Sequence, residues 1–450
     1  LNISQETIAP LNKEIRVEIQ PEDFRPRVLE AIKKQGKKVQ LPGFRPGMVP
    51  FGMIKKMIGK SVMADELNVI LQEALNGFIK EENIRILGDP IPKNMLDGED
   101  LDPDTEKTLE FVYEIGVSPD VEVDFQAGSP VEVLKIEVDE AFYLKSLERE
   151  QFYHGKYENT EEYAAGDTLV GGLMELDEAG EMIEGSKNFM VLSAQRLDAK
   201  YFLPFEGKKL GDQVPLNIFE MEPDEDKLSS LFFLSPEAIE ALRGKTTYFQ
   251  IDRIGHTTPH ELTPEFFAKV LRLPEGETVS EEEFKARYTE KLKNDVETEA
   301  RNRLTADMNE WLLKNHPFDL PDDFLKRWLK QSNEKVTEEV IEKEYANYSE
   351  NMKLQVLIGS LRRQFPDELN VDMEAFYDHV LNTYGYVPNP ENSPEQEQAT
   401  RNAWLQEIFK QEERVNNLYN AHFEAKMTEF LQAKVPTVEK TLTATEFTTA

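Results

Sequence analysis

The apolar positions of the chain change their spacing several times, and each change predicts a different kind of element. Near the start Ile15, Val17 and Ile19 alternate with polar residues, the period-two pattern of a strand with one covered face. Pro21-Glu22-Asp23 then opens a helix that carries Phe24, Val28, Ala31 and Ile32 on one side. Helical spacing returns near 51–60 and again over 61–83, where Leu67, Leu71, Leu75, Phe78 and Ile79 align. Short strands are expected near 84–88 and 107–117, the second with Leu109, Phe111, Tyr113 and Ile115 on one face. Residues 1–115 therefore read as an α+β domain.

Residues 116–149 read as a connector that packs with the C-terminal domain. They hold an extended stretch at Val117–Val123, an alternating strand from Val131 to Val138, and the start of a helix through Phe142, Leu144 and Leu147. Over 150–255 glycines become frequent and short apolar runs are separated by turns. Leu169-Val170, Phe189-Met190-Val191-Leu192 and Tyr248-Phe249-Gln250-Ile251 are examples, and they predict a small β-rich domain.

Residues 256–450 read as almost entirely helical. Thr263-Pro264-Glu265 is a helix start, and Ser280 with Glu283 has the spacing of a capping box. Phe324 with Trp328, Leu325 with Leu329, and Leu354, Leu357, Ile358 and Leu361 mark apolar faces. Pro388, Pro390 and Pro394 interrupt the chain before a last helix through Trp404, Ile408, Leu418, Phe423 and Phe430. The fold class is thus α+β and multidomain, with an all-α C-terminal part. A length of 450 residues agrees, since one hydrophobic core rarely serves so long a chain.

Composition removes several kinds of chemistry. The chain has no cysteine, so disulfides, thiolate nucleophiles and cysteine-type zinc sites are excluded. Its six histidines, 154, 256, 260, 316, 379 and 422, show no ligand spacing. No nucleophile–base pair or phosphate-binding glycine loop stands out, and no cofactor or metal is expected. No apolar run of signal-peptide type opens the sequence, and none approaches the ~18 residues of a membrane span, so a cytoplasmic protein without a membrane partner is expected.

Charge adds a local feature. The net charge of −34 argues against nucleic acid as a general partner, yet Arg25 to Lys60 holds seven Lys, three Arg and only one acid. Such a cluster is either a solvated helix face or a docking site for a polyanion such as an RNA-rich surface. Within it, Gly43-Phe44-Arg45-Pro46-Gly47-Met48-Val49-Pro50 is too rich in Gly and Pro for a regular helix, so it is a loop. It frames an aromatic ring and a guanidinium at its apex. Arg45 can fork onto phosphate or carboxylate and Phe44 can anchor in a small pocket, whereas a plain helix–helix turn requires neither.

That loop resembles the ribosome-binding signature of the trigger factor family, G-F-R-x-G-x-x-P, and the lysine-rich helix before it and Gly59-Lys60-Ser61-Val62 after it fit the family too. The order of domains agrees over the whole chain. The resemblance implies a ribosome-binding domain at 1–115, an FKBP-like domain at 150–255 and a helical chaperone domain with arms at 256–450. It implies docking to a large-subunit protein and rRNA at the exit tunnel through Gly43, Phe44, Arg45, Pro46 and Gly47, supported by Lys37, Lys38, Lys55 and Lys56. Its partners would be nascent and unfolded polypeptides, held without ATP, and a second copy of the chain off the ribosome. Pro46 and Met48 depart from the family, which often has basic residues there, and this puts the strength of docking in question.

The FKBP-like domain departs further. The family's pocket Asp and Phe align with Gly171 and Gly172, its Ile-Pro falls near Asp198-Ala199, and the Tyr expected near Pro236-Glu237-Ala238-Ile239 is missing. Phe249 remains at a late aromatic position, and Phe202, Phe205, Phe232 and Phe233 are candidates to rebuild a pocket. Prolyl isomerisation depends on binding a twisted amide, so losing pocket residues predicts weak or absent activity. An active peptidyl-prolyl isomerase is the alternative. An acidic helical scaffold unconnected with translation is a third reading, disfavoured by the loop.

Overall fold

The computed structural model describes residues 1–37, 42, 44, 49–94, 101–175, 183, 186–193, 197–232, 234–333 and 336–449. In chain order its strands are β1 (Asn2–Ala9), β2 (Asn12–Ile19), β3 (Ile86–Pro92), β4 (Leu109–Val117), β5 (Val131–Glu137), β6 (Lys156–Thr160), β7 (Thr168–Glu175), β8 (Asn188–Leu192), β9 (Gln213–Pro215), β10 (Thr247–Thr258) and β11 (Thr437–Thr443). Its helices are α1 (Pro21–Gly36), α2 (Phe51–Glu81), α3 (Glu140–Tyr153), α4 (Ile218–Met221), α5 (Glu225–Phe232), α6 (Pro236–Leu242), α7 (Pro264–Leu271), α8 (Glu281–Asn315), α9 (Asp322–Ser332), α10 (Glu338–Gln364), α11 (Pro366–Leu369), α12 (Met373–Thr383), α13 (Pro394–Ile408), α14 (Glu412–Lys434) and α15 (Ala444–Thr449). A 3-10 turn covers Ala199–Phe205. No helix among the described residues is long and apolar enough to cross a membrane.

The chain divides into two compact units, one of residues 1–133 with 303–438, the other of 134–302 with 439–450. In the first, an antiparallel sheet of order β1-β2-β4-β3 is covered on one face by α1 and α2. Ile15, Val17 and Ile19 point into this core with Phe24, Val28 and Ile32 of α1 and Leu67, Ile70 and Leu71 of α2. The helical patterns at 51–60 and 61–83 are one uninterrupted helix, because Gly59 packs tightly rather than breaking it. Strand β1 had no sequence expectation. Its outward-facing side chains leave no alternating apolar signal, and its register against β2 supplies the order instead.

The same unit holds a helical core built by the C-terminal half of α8 with α10, α12 and α14. Val123 and Val131 of the connector are buried in it, and the Phe125 ring meets Phe365 and Phe430 edge-on at 5.6 and 5.9 Å. Helix α9 packs on β3 and β4, with Phe324 and Leu325 against Leu87 and Ile91. Most aromatic stripes here are therefore core. Met427 is buried and Met352 partly so, while Met373, Val340, Val387 and Trp404 remain exposed.

The second unit contains a sheet of order β6-β10-β7-β8, with β9 pairing β10. Around it Leu169, Leu173, Phe205, Leu228, Phe232, Phe249 and Ile251 form a closed core. Helices α3, α7 and α8 meet separately through Tyr143, Phe266, Phe267, Phe284 and Tyr288. Thr263 caps α7 by accepting from the Phe266 amide at 3.3 Å, as its sequence signature predicts. Strand β11 and helix α15 were not anticipated in a region read as helix. Thr445 donates from its backbone and hydroxyl to Asp139 at 3.0 and 2.7 Å, completing the N-cap of α3.

Candidate functional site

The basic segment spans the end of α1 and the start of α2. The two helices approach closely: a Cβ on Gly36 would lie 2.9 Å from Ile54, so only glycine lets the α1 end sit there. Of the residues singled out by sequence, Lys38, Gly43, Arg45, Pro46 and Gly47 lie outside the described residues. Phe44 is 39% exposed, a large apolar ring left facing water. Val49 by contrast is buried in the α1–α2 core and ties the loop down just before α2.

The cations of the segment separate into two sets. Arg25 donates to Glu106 and to the Thr105 carbonyl, Arg27 pairs with Glu73 and Glu66, and Lys55 pairs with Asp104. Hydrogen bonding from Arg27 holds the Glu73 carboxyl below its usual range. These three charges are therefore partly neutralised within the chain. Lys33, Lys34, Lys37 and Lys56 are exposed and make no ion pair among the described residues. Sequence counting could not separate the two sets, since the acids come from distant segments.

Sequence reasoning also passed over three apolar residues. Phe51, Met53 and Met57 on α2 are all exposed. The signal for them is phase: Ile54 and Ile58 occupy the inward face, so Met53 and Met57, four apart, share an outward one. With Phe44 they are exposed apolar residues in the lysine-bearing segment. A surface of that composition can bind a partner carrying both anionic and apolar groups.

The β-rich region presents a different picture. Phe202, Phe205 and Phe249 are 5%, 0% and 0% exposed. The Phe205 and Phe249 rings meet edge-on at 5.7 Å, and Tyr163 stacks parallel to Phe202 at 6.2 Å. They are packed as core and offer a ligand little surface. Phe233 lies outside the described residues. Gly171 faces Ile251 across β7 and β10, and a Cβ there would overlap the carbonyl oxygen of Gln250. At Gly172 the obstacle is only the flexible Lys187 side chain.

Comparison with known proteins bears on the whole chain. Residues 1–150 match the family model described as bacterial trigger factor protein, residues 157–259 that of the probable trigger factor FKBP-like domain, and residues 300–450 that of the probable trigger factor C-terminal domain. The trigger factor of Halorhodospira halophila is 24% identical, with 99% of this chain and 97% of that protein aligned. That of Anoxybacillus flavithermus is 28% identical over 69% of each. A solved trigger factor chaperone chain superposes with a TM-score of 0.38 at 17% identity, covering 96% of this chain and 99% of that one.

Proposed function

We propose, from the premise that the chain belongs to the trigger factor family, that it is a ribosome-associated chaperone of the cytoplasm. It docks near the exit tunnel and holds nascent polypeptides without ATP. Residues 1–115 would dock, 116–149 connect, 150–255 form the FKBP-like domain and 256–450 the chaperone domain. The observation that carries docking is the G-F-R-x-G-x-x-P loop, on which Phe44 is exposed, beside lysines that make no ion pair among the described residues. Phe44 and Arg45, within Gly43, Pro46 and Gly47, supply the specific contact to a ribosomal protein. Lys37, Lys38 and Lys56, with Lys55 contributing less, supply the salt-sensitive attraction to rRNA. Off the ribosome the same surface is free for a second copy of the chain.

Cosedimentation with ribosomes tests docking. Phe44→Ala with Arg45→Ala should abolish it at physiological salt while thermal unfolding stays unchanged. Equal binding by the double variant would remove this reading. We further read the FKBP-like domain as a retained fold with little isomerase activity, supported by the buried Phe202, Phe205 and Phe249 and by Gly171 and Gly172.

A further inference from the structure

A second basic site lies in the unit of residues 134–302, on residues given no binding role above. A cavity of about 420 Å³ is lined by the end of α3 (Arg149, Glu150, Tyr153, His154), the end of α7 (Lys269, Val270, Arg272) and Lys291 of α8. Four full cations and one carboxylate line it, in a chain of net charge −34. The Arg149, Lys269 and Arg272 side chains make no hydrogen bond or ion pair among the described residues, and Glu265, one turn before Lys269, is the acid closest to it in sequence. Lys291 reaches Asp295 at 3.4 Å and sits 5.7 Å from the Tyr288 ring centre. The carboxylate of Glu150, which also lines the cavity, is 3.8 Å from His154.

Two neighbouring features exceed what helix ends alone would draw. Cations favour helix C-termini, which accounts for Arg149, Lys269 and Arg272 singly. It does not account for their converging from two helices on one cavity, nor for Lys291, which joins them from the interior of α8. Lastly, Tyr153 is 81% exposed at the cavity, with His154 edge-on at 5.0 Å. Its ring is open for stacking against a planar group.

We propose that this cavity binds a nucleoside polyphosphate, with the phosphates on Arg149, Lys269, Arg272 and Lys291 and the base against Tyr153. Arginine forks match phosphate oxygens, and the volume falls within the ~300–1,000 Å³ of small-ligand sites. A small ligand fits better than a nucleic-acid strand. Screening over about 8 Å at physiological salt lets a local cluster act alone. A long strand would continue onto the acidic remainder of the surface.

Isothermal titration calorimetry on the full chain tests this, with ATP, GTP, inorganic tripolyphosphate and a ten-nucleotide RNA as separate titrants. The nucleoside triphosphates should bind, and more weakly as salt rises. Arg149→Gln with Lys269→Gln should weaken nucleotide and tripolyphosphate at least tenfold. Tyr153→Ala should weaken the nucleotides about tenfold, the scale of a lost stacking partner, and leave tripolyphosphate unchanged. Both variants change exposed or cavity-lining side chains, and unchanged melting curves confirm that they are folded. Absence of nucleotide binding by the wild type, or equal binding by the charge variant, overturns the site. Equal nucleotide binding by Tyr153→Ala overturns the nucleoside assignment, and tighter RNA than nucleotide binding overturns the small-ligand assignment.

Discussion

At the scale of single residues, the strongest polar commitment is Glu114 on β4. Its side chain is almost fully buried, takes both Arg327 nitrogens at 2.5 and 2.6 Å, and accepts from Asn12 at 2.6 Å. Hydrogen bonding from Arg327 holds its carboxyl below the usual range, against the opposing effect of burial. Removing Arg327 strands a buried carboxylate, though Arg327 itself is half exposed and water can partly replace it. Arg327→Ala should therefore cost about 1–2 kcal/mol in urea unfolding at pH 7. The sign with pH follows from the lowered folded pKa. The stabilisation is present above the unfolded value of about 4.3 and fades as pH falls through the folded one, so the gap between variant and wild type should close below about pH 4. A gap that persists in acid would show that packing by Arg327, not charge, is what was lost. Gly171 makes a different point. Gly171→Asp would put an acid where the sequence comparison expects the family's pocket Asp, but the Gln250 carbonyl occupies the space its Cβ needs. It should destabilise the chain by about 2 kcal/mol or more and give no acceleration of a prolyl-limited refolding step. A gain in catalysis would mean that β7 shifts to admit it.

At the scale of elements, α9 seats on the sheet through two glycines. A Cβ on Gly116 would meet Phe324 at 2.5 Å, and Gly88, at φ +74°, lies under the Trp328 ring. Gly116→Val should push α9 off β4, lower the unfolding midpoint by about 1–3 kcal/mol equivalent, and change Trp328 fluorescence. An unaltered emission spectrum would place the accommodation elsewhere. Much at this scale was legible from sequence, for a physical reason: β2, β4, α1 and α7 each bury one face, so period and caps report them. What was not legible buries little. Strand β1 is exposed, β11 is short and polar, and α2 reads as two helices because its apolar phase drifts across Gly59. The candidate site was legible through its loop motif. The division of its cations into paired and unpaired was not, because Asp104, Glu106 and Glu73 lie 46 or more residues away along the chain from their partners.

At the scale of the molecule, chaperone function needs apolar surface that folding leaves open. Val340, Met373, Val387 and Trp404 are exposed on the C-terminal helices and their connections, while most apolar stripes there are internal. Client holding should accordingly be modest per site and spread over several. Replacing Val387 and Trp404 by Ser should reduce suppression of aggregation of an unfolded protein, without ATP, about two- to fivefold and leave the melting temperature within a degree or two. Full retention of protection would locate the clients elsewhere.

The first unit joins residues 1–133 to 303–438, with the second unit inserted between them. This sets an order of events during synthesis. The core under β2 and β4 closes with residues that precede position 118 and can form early. The other patch, Leu87 and Ile91, is covered by Leu320, Phe324 and Leu325, which emerge more than 200 residues later. At about 5–20 residues per second that interval lasts roughly 10–45 s. Throughout it the newborn protein carries an uncovered apolar patch, so the chain is itself exposed to the hazard from which a holding chaperone shields others. Stalled chains ending near residue 302 should bind more of an apolar dye than chains released after residue 438.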